Sequence, residues 1–280
     1  MSDPLALLPL AIAAGGGQLG SFDAAQLVAA GVTLLQRSAP LVRALAGKRS
    51  AILLPGGPSF LVALAASDGR GALLLDPGAS PAWIAWQLAD ADVGAVFTHE
   101  GLVPLLPAGT PVALLDHAPR AARVMAPGRT MDVDLGSHHG LSLEGDTATE
   151  GREEPCAIWY APSGRREVQS HRALIAAGRA AVAELLLTPV DHVLSLLPVH
   201  EAPALAVGVT APLMAGARVS ILSPVSLTDL AHTVEQAVAR DGVTMLAARW
   251  RTDAEIRVTA YRADVGRREL RAGNLVGHER

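Results

Sequence analysis

The chain has 280 residues, of which half are apolar, 18% are charged and 3% are aromatic, and its formal net charge is −4. A chain of this length forms about one to two domains with a sizeable core. The weak acidic balance and low aromatic content argue against nucleic-acid binding through phosphate contacts or base stacking and against a polybasic membrane surface, and the single cysteine excludes an internal disulfide framework or a cysteine-rich metal site.

The N-terminus carries an apolar run, Pro4–Ala14. No basic residue precedes it, whereas a secretory signal needs a positively charged beginning. The run is also too short to span a bilayer. We therefore expect a cytoplasmic protein.

Residues 51–115 alternate between short apolar runs and helix starts. Pro58 fits a first helical position, and Ser80 with Pro81 fits an N-cap followed by a first helical position. Continuous apolar strands with helices between them are typical of a parallel sheet covered on both faces. Residues 116–154 lose this rhythm, and we interpret them as a linker or irregular connection. The strand candidates are Ala51–Leu54, Ala72–Leu75, Gly94–Thr98 and Val112–Leu115.

The same alternation resumes at Cys156 and continues to residue 247. Residues 249–280 form a charged tail in which Ile256–Tyr261 alternates like a half-exposed strand. The pattern predicts an α/β fold with two similar lobes, 1–154 and 155–248, followed by the tail. The strand candidates are Cys156–Tyr160, Val193–Leu197, Arg218–Leu222 and Val243–Ala247; the helix candidates are 171–187, 204–215 and 227–240; residues 161–169 are a polar turn.

Three stretches carry a more specific pattern. The first runs from Leu73 through Pro81 to Asp90, the second is Tyr160 followed by 170–174, and the third is Leu197 with Pro198 followed by 211–217. In this order and spacing they resemble the large N-terminal region of the adenylate-forming superfamily, over roughly residues 20–248. The resemblance implies two α/β lobes and a reaction in which ATP activates a carboxylate before the acyl group passes to a thiol.

The phosphate loop of that superfamily follows a strand ending in tyrosine, is rich in Thr, Ser and Gly, and carries a lysine. Backbone N–H groups and hydroxyls surround the phosphates there, and the lysine adds a point charge. The corresponding segment here is 161–169, which is shorter and has no lysine. Pro162 removes an N–H donor, and Glu167 would repel a triphosphate.

The second departure lies after residue 247. The resemblance implies an acid that holds the ribose and a C-terminal domain with a catalytic lysine, and residues 249–280 contain no equivalent. Lys48 is the only lysine in the chain. Phosphate loop, ribose acid and lysine act as one electrostatic unit, so we expect a truncated, adenylation-deficient homologue.

Five residues of the degenerate loop and the following helix start are the candidates for nucleotide or anion binding. The guanidinium groups of Arg165 and Arg166 offer positive charge near the helix that begins after Ser170, where the helix dipole also favours an anion. A solvated turn is the competing interpretation for the arginines, and a locally bonded helix-start residue for His171. ATP or AMP with magnesium is the implied ligand if the loop still binds. The candidates are Ser163, Gly164, Arg165, Arg166 and His171.

His200 and Glu201 follow the strand Val193–Leu197, where α/β proteins place ligands at strand carboxyl ends. They are the catalytic candidates, as an acyl-pocket wall or a general acid and base. The superfamily's aromatic and histidine pocket motif is altered here to residues 199–203. A polar loop is the competing interpretation.

Other chemistry-bearing residues have simpler explanations. His138 and His139 with the aspartates Asp132 and Asp134 fit a solvated loop better than a metal site, so no metal is predicted. Ser163 lacks the glycine that a nucleophile elbow needs before its serine. Cys156 fits an inert core residue, Lys48 a solvated one, and Trp83 with Trp86 fits core packing better than a partner patch.

Two functions follow. The first is a binding or scaffold protein that keeps an acyl, aryl or nucleotide pocket and forms a homodimer or holds a dedicated partner. The second is an enzyme, with either a remodelled acyl or acyl-thioester site or one half of a split ligase.

Overall fold

The computed structural model describes residues 16–67, 71–136, 155–201, 204–222, 234, 236–251, 256–264 and 269–274, with side chains as far as residue 248. Its strands form two sheets, which we call sheet 1 and sheet 2. The predicted runs Pro4–Ala14 and His138–His139 lie outside the described residues.

Sheet 1 has eight strands in the order β10-β9-β4-β3-β5-β6-β7-β8. Five neighbouring strands, from β9 to β6, are parallel, and each outer strand is antiparallel to its neighbour. Its strands are β3 (Arg49–Leu53), β4 (Ala72–Leu74), β5 (Val93–Thr98), β6 (Val112–Leu115), β7 (Ala121–Ala126), β8 (Arg129–Asp134), β9 (Pro155–Tyr160) and β10 (Arg166–Ser170).

Sheet 2 has seven strands in the order β15-β14-β13-β11-β12-β1-β2. Its four central strands are parallel, and β2, β14 and β15 are antiparallel to their neighbours. Its strands are β1 (Gln18–Leu19), β2 (Phe22–Asp23), β11 (His192–Ser195), β12 (Arg218–Ile221), β13 (Met245–Arg251), β14 (Ile256–Asp264) and β15 (Glu269–Asn274).

The helices begin where capping groups allow. Asp23 accepts from the N–H groups of Ala25 and Gln26 at the start of α1, and Ser80 and Ser170 cap α4 and α5. The helices are α1 (Ala24–Arg37), α2 (Ala39–Ala44), α3 (Pro58–Ala66), α4 (Pro81–Asp90), α5 (His171–Leu185) and α6 (Ala211–Met214), with a 3₁₀ helix at Glu100–Leu105 and a π-helix at Ala204–Thr210.

The largest hydrophobic cluster joins the facing sides of the two sheets. It contains Ile52 and Phe97 of sheet 1, Val193 and Val219 of sheet 2, and most of α3. Every residue of α3 after its first proline is buried, which matches a helix that is apolar all round. The outer face of sheet 1 is covered separately by α4.

Most predicted elements are confirmed to within a few residues, including the helix starts at Pro58 and Pro81. The predicted irregular connection at 116–154 is wrong in its first part, because 121–134 forms the β7–β8 hairpin. The polar turn predicted over 161–169 is shorter, since β10 occupies 166–170. Both errors concern strands whose exposed polar residues hide the apolar pattern. For the helix predicted at 227–240, the described residues 236–240 are helical.

The strands do not follow the predicted boundary at residue 154. Ala157 of β9 pairs in parallel with Ala72 of β4, so the strand after residue 154 completes sheet 1. Near the N-terminus, Gln18 of β1 pairs with Arg218 of β12, so the first described strand of the chain belongs to sheet 2.

Candidate functional site

The carboxyl ends of the parallel strands of both sheets meet. A Cβ on Gly56, just after β3, would lie 2.3 Å from Cγ2 of Ile221 at the end of β12 and 2.9 Å from Cγ1 of Val199, which follows β11. Only glycine allows this close approach. Loops at strand carboxyl ends form the ligand sites of open α/β sheets, so this junction is the candidate site.

His200 and Asp76 face each other across this junction. Nε2 of His200 lies 3.7 Å from Oδ1 of Asp76, the residue that follows Leu75 at the end of β4. The histidine side chain is 23% exposed and the aspartate 51%. Oδ1 of Asp76 also accepts from the N–H of Gly78 at 2.8 Å. The imidazole is therefore held beside a carboxylate while part of its ring faces solvent.

Glu201 follows His200, and its main-chain groups form hydrogen bonds at the start of the next helix. Its N–H donates to the carbonyl of Pro198 at 3.0 Å, and its carbonyl accepts from the N–H of Ala204 at 3.1 Å. This places Glu201 at the entrance to the π-helix Ala204–Thr210. Single-turn π-helical segments occur frequently at functional sites.

The predicted phosphate loop is a closed turn between β9 and β10. The N–H of Ala161 donates to the carbonyl of Arg165 at 2.9 Å, and the N–H of Gly164 donates to the carbonyl of Ala161 at 2.8 Å. The N–H of Arg165 points to Oγ of Ser163 at 3.5 Å. Pro162 has no N–H. Of the four N–H groups in the turn, only that of Ser163 takes part in none of the described bonds. The turn residues therefore do not fit the phosphates of ATP, which a cradle of free N–H groups would hold.

Aromatic side chains pack against this turn. The rings of Trp83 and Trp86 on α4 stack with centroids 4.7 Å apart, and Trp86 meets Tyr160 edge to face at 5.1 Å. A Cβ on Gly164 would lie 3.8 Å from Trp83 and 3.9 Å from Trp86. Core packing was the prediction for the two tryptophans and is wrong for Trp86, which is 42% exposed. Their contacts with the turn explain this placement.

Charged groups hold the turn on its other side. Tyr160 donates its hydroxyl hydrogen bond to Oδ2 of Asp90, and Nη1 of Arg166 lies 4.0 Å from the same oxygen. Burial, followed by this hydrogen bond, raises the pKa of Tyr160 to about 12. Nη2 of Arg165 donates to Glu167 at 2.7 Å. Both arginines are thus engaged with carboxylates of the chain.

Glu167 has a second partner that the sequence did not suggest. Its Oε2 accepts from the indole Nε1 of Trp159 at 2.8 Å, across the β9–β10 pair. The acid that would repel a triphosphate is therefore a structural element of the hairpin. Cross-strand pairs of this kind stabilise a hairpin.

His171 is separated from the turn. It is 1% exposed at the start of α5. Four residue steps of β10 lie between Arg166 and Ser170, which corresponds to about 13 Å of extended chain. The arginines and the start of α5 therefore do not face one anion together.

The remaining candidates have local roles. Cys156 is fully buried, and burial raises the pKa of its thiol to about 12, as expected for an inert core residue. Nζ of Lys48 lies 3.4 Å from Asp92, with both side chains largely exposed. Asp132 pairs with Arg123 at 2.9 Å, and Asp134 accepts from a backbone N–H. Within the described ranges, no group of three or more His, Cys, Asp or Glu side chains is arranged to hold a metal.

The sequence prediction missed Asp76 and Asp90. Both are single acids at element ends, one after β4 and one at the end of α4, and neither spacing nor periodicity links them to His200 or Tyr160. The parallel pairing of β4 with β9 brings the end of α4 near Tyr160, and the meeting of the two sheets brings the end of β4 near His200. Asp76 does follow a buried strand directly, which is the signal that could have identified it.

No protein-family model matches the chain, and no curated protein sequence matches it. Several solved structures match it in fold. Apo MatB from Rhodopseudomonas palustris is 21% identical, with a TM-score of 0.61 over 86% of this chain and 48% of its own. The nonribosomal peptide synthetase FmoA3 bound to α-methyl-L-serine-AMP is 20% identical, with a TM-score of 0.61 over 85% of this chain and 26% of its own.

A third similar structure is the anthranilate CoA ligase AuaEII in complex with anthranoyl-AMP, at 15% identity and a TM-score of 0.57 over 78% of this chain and 42% of its own. The chain spans about half the length of MatB. It has the two-sheet α/β fold of the N-terminal domain of adenylate-forming enzymes, which confirms the predicted fold class. Among the helices described, none is both long and apolar enough to cross a membrane.

Proposed function

We propose that this chain is a member of the adenylate-forming superfamily that binds an acyl or aryl carboxylate or thioester but does not adenylate it by itself. The fold supports the first part, and MatB, one of the proteins that share it, has been solved with ATP bound. The closed turn at 161–165 carries the second part. We further propose that the protein is cytoplasmic and acts as a homodimer or with a dedicated partner.

The closed turn opposes adenylation for an electrostatic reason. Donors aimed at developing charge each contribute roughly 3–4 kcal/mol to transition-state stabilisation in enzymes where they have been removed. Here three of the four turn N–H groups are used inside the turn. Arg165 and Arg166, the nearest cations, are held by Glu167 and Asp90. Opening the turn for a triphosphate would break these contacts together.

The junction around His200 supports ligand binding instead. Its imidazole is part-exposed, lies 3.7 Å from the Asp76 carboxylate, and lies where both sheets end. A histidine in this setting can donate a hydrogen bond to a carboxylate or to a thioester carbonyl. The part-buried apolar side chain of Ile221 at the same junction suits an acyl or aryl group.

Two measurements on the purified chain test this proposal. ATP–pyrophosphate exchange is expected to be at background with any carboxylate, because the phosphate cradle is closed. Calorimetric titration with a panel of benzoyl- and acyl-CoA thioesters is expected to find a ligand whose Kd rises about tenfold in His200→Ala. His117→Ala, at an exposed position two residues after β6, is the matched control and should leave that Kd unchanged.

Exchange well above background, or saturable binding of ATP with magnesium at low micromolar Kd, would contradict the non-adenylating function. Exchange that arises only when a second polypeptide is added would support the split-ligase form instead. Absence of binding by every thioester and carboxylate in the panel would contradict the ligand class.

An enzymatic second candidate rests on the His200–Asp76 pair. A carboxylate beside an imidazole is the arrangement that orients a general base, which here would draw a proton from water attacking a thioester. This candidate predicts slow thioester hydrolysis that is lost in His200→Ala and reduced about tenfold in Asp76→Asn. Hydrolysis unchanged in His200→Ala would exclude it, and Glu201→Gln tests whether the adjacent acid contributes.

A further inference from the structure

A concave surface lies at the end of sheet 1 opposite to the candidate site. It is a groove of about 580 Å³ at the amino ends of three neighbouring parallel strands. Lys48 precedes β3, Val93 begins β5, and Pro111 precedes β6. His200 and the 161–165 turn lie at the carboxyl ends, so this groove, which we call the amino-end groove, is separate from the candidate site.

Among the residues that the structure describes, the amino-end groove is lined by three cationic side chains and no acidic one. The cations are Arg43 at the end of α2, Lys48, and Arg129 at the start of β8. Lys48 has Asp92 at 3.4 Å outside the lining. In the part of the chain that the structure describes, no carboxylate lies within 4 Å of the guanidinium groups of Arg43 and Arg129. On a chain whose net charge is −4, this is a local concentration of positive charge.

The uncharged part of the groove's lining, which we call the proline floor, is apolar and fixed in place. Pro40, Pro111 and Pro127 line it, each with a restricted backbone. Gly94 of β5 lets α2 rest directly on the strand, because a Cβ there would be 2.0 Å from the carbonyl oxygen of Ala44. One wall is the tight β7–β8 turn, closed by the pairing of Ala126 with Arg129. The groove is therefore preformed by helix, strand and hairpin.

We infer that the amino-end groove binds a small amphiphilic anion. Its apolar group would lie on the proline floor, and its carboxylate or phosphate would lie between Arg43, Lys48 and Arg129. The volume is in the usual range for small-molecule sites, and cationic side chains beside an apolar floor match both parts of such a ligand. Guanidinium groups in particular bind both carboxylates and phosphates through paired hydrogen bonds.

Lys48 gives a direct probe of the groove because it is the only lysine. The rate at which an N-hydroxysuccinimide acetate acylates its amine is measured by peptide mass spectrometry, with the N-terminal amine as internal reference. Octyl phosphate or octanoate, kept below micelle formation, is expected to slow acylation of Lys48 at least fivefold without affecting the reference. Inorganic phosphate and octan-1-ol at the same concentrations should leave it unchanged.

The two octyl compounds distinguish a phosphate from a carboxylate headgroup. Protection by either supports the inference. Equal protection by inorganic phosphate would overturn the amphiphilic class, equal protection by octan-1-ol would overturn the anionic class, and protection by none of the probes would overturn the site.

Charge variants locate the binding. Arg43→Gln and Arg129→Gln are each expected to raise the Kd of the protecting octyl compound about tenfold, measured by calorimetry. Arg120→Gln, an exposed arginine on the loop before β7, is the matched control and should change that Kd by less than twofold. Thermal unfolding confirms that each variant is folded. Equal affinity in all three variants would contradict the assignment of the arginines.

Discussion

At the residue scale, one buried histidine has hydrogen-bond partners that couple stability to pH. His192 is 5% exposed at the start of β11. Its Nδ1 lies 2.9 Å from the carbonyl oxygen of Asp241, which can only accept, so Nδ1 carries the hydrogen; Nε2 lies 2.9 Å from the Ser220 hydroxyl. Burial is the main cause that lowers the pKa of His192 below 6.5. Folding therefore disfavours the protonated form of this ring.

The sign of the pH effect follows from that lowered pKa. Below pH 6.5 the unfolded chain binds a proton at this position that the folded chain does not, so stability is full above pH 6.5 and falls as the pH decreases. When the pH falls from 7.5 to 5.5, His192 lowers the free energy of unfolding by at most about 1.4 kcal/mol, because only the one pH unit below 6.5 contributes. Urea unfolding at both pH values should show a smaller loss in His192→Asn, whose amide replaces the Nδ1 donor. Equal losses in both proteins would contradict this assignment.

Tyr160 offers a spectroscopic test of the closed turn. Its pKa is raised to about 12, first by burial and then by its hydrogen bond to the Asp90 carboxylate. In Asp90→Asn, the negative charge that opposes phenolate formation is lost, so the pKa should fall toward 10. Absorbance titration near 295 nm measures this, because the chain has only two tyrosines. Two identical titration curves would show that Asp90 does not hold the hydroxyl.

At the scale of elements, the α1–α3 contact depends on one glycine. A Cβ on Gly31 of α1 would lie 2.4 Å from the carbonyl oxygen of Val62 and 2.7 Å from Cβ of Ala65. Because α3 is buried along its length, it has no room to move away. Gly31→Ala should therefore lower the free energy of unfolding by about 1–3 kcal/mol, despite alanine's better helix propensity. Gly136→Ala, at an exposed position, is the control for chemical unfolding.

The parallel strands could be predicted because they are buried on both faces, so their residues form continuous apolar runs in the sequence. Ala72–Leu75 and Val112–Leu115 were located within one residue. Strands with alternating exposure, such as β7 and β8, gave no such run and were missed. Helix α1 was also missed, although its Asp23 cap was a readable signal.

The candidate site was predictable only in part. His200 and the turn were identified from their positions after strands. Asp76 reaches His200 because the two sheets meet, and Asp90 reaches Tyr160 through the pairing of β4 with β9. That pairing joins residues more than eighty positions apart. No local pattern in the sequence encodes such contacts. For the same reason, the sequence did not predict that Trp83 and Trp86 pack against the 161–165 turn.

At the scale of the whole molecule, β10 is the outermost strand at one end of sheet 1, and no other described strand pairs with its outer side. Val168 on this edge strand is 54% exposed, and Trp86 is exposed on the neighbouring helix. Exposed apolar side chains on an unpaired edge favour association with another strand. We expect light scattering after size exclusion to give about twice the 28.9 kDa chain mass, and Val168→Lys to give the single chain mass.

Val190→Lys is the matched control for this prediction. Val190 is 87% exposed in the turn before β11 and lies away from the β10 edge. It should keep the mass of the unmodified protein. A monomer before any substitution, or a dimer that persists in Val168→Lys, would contradict association through this edge.

The placement of β1 and β2 in sheet 2 has a consequence for the order in which the protein folds during synthesis. Sheet 1 can complete its pairing from residues 49–170, but sheet 2 needs strands from both sides of that stretch. Nε of Arg218 donates to the carbonyl of Gly20 across 198 residues. At about 5–20 residues per second, the first hairpin emerges from the ribosome roughly 10–40 s before its partner strand. Sheet 1 can thus form first, and the N-terminal hairpin joins sheet 2 only when β12 becomes available to pair with β1.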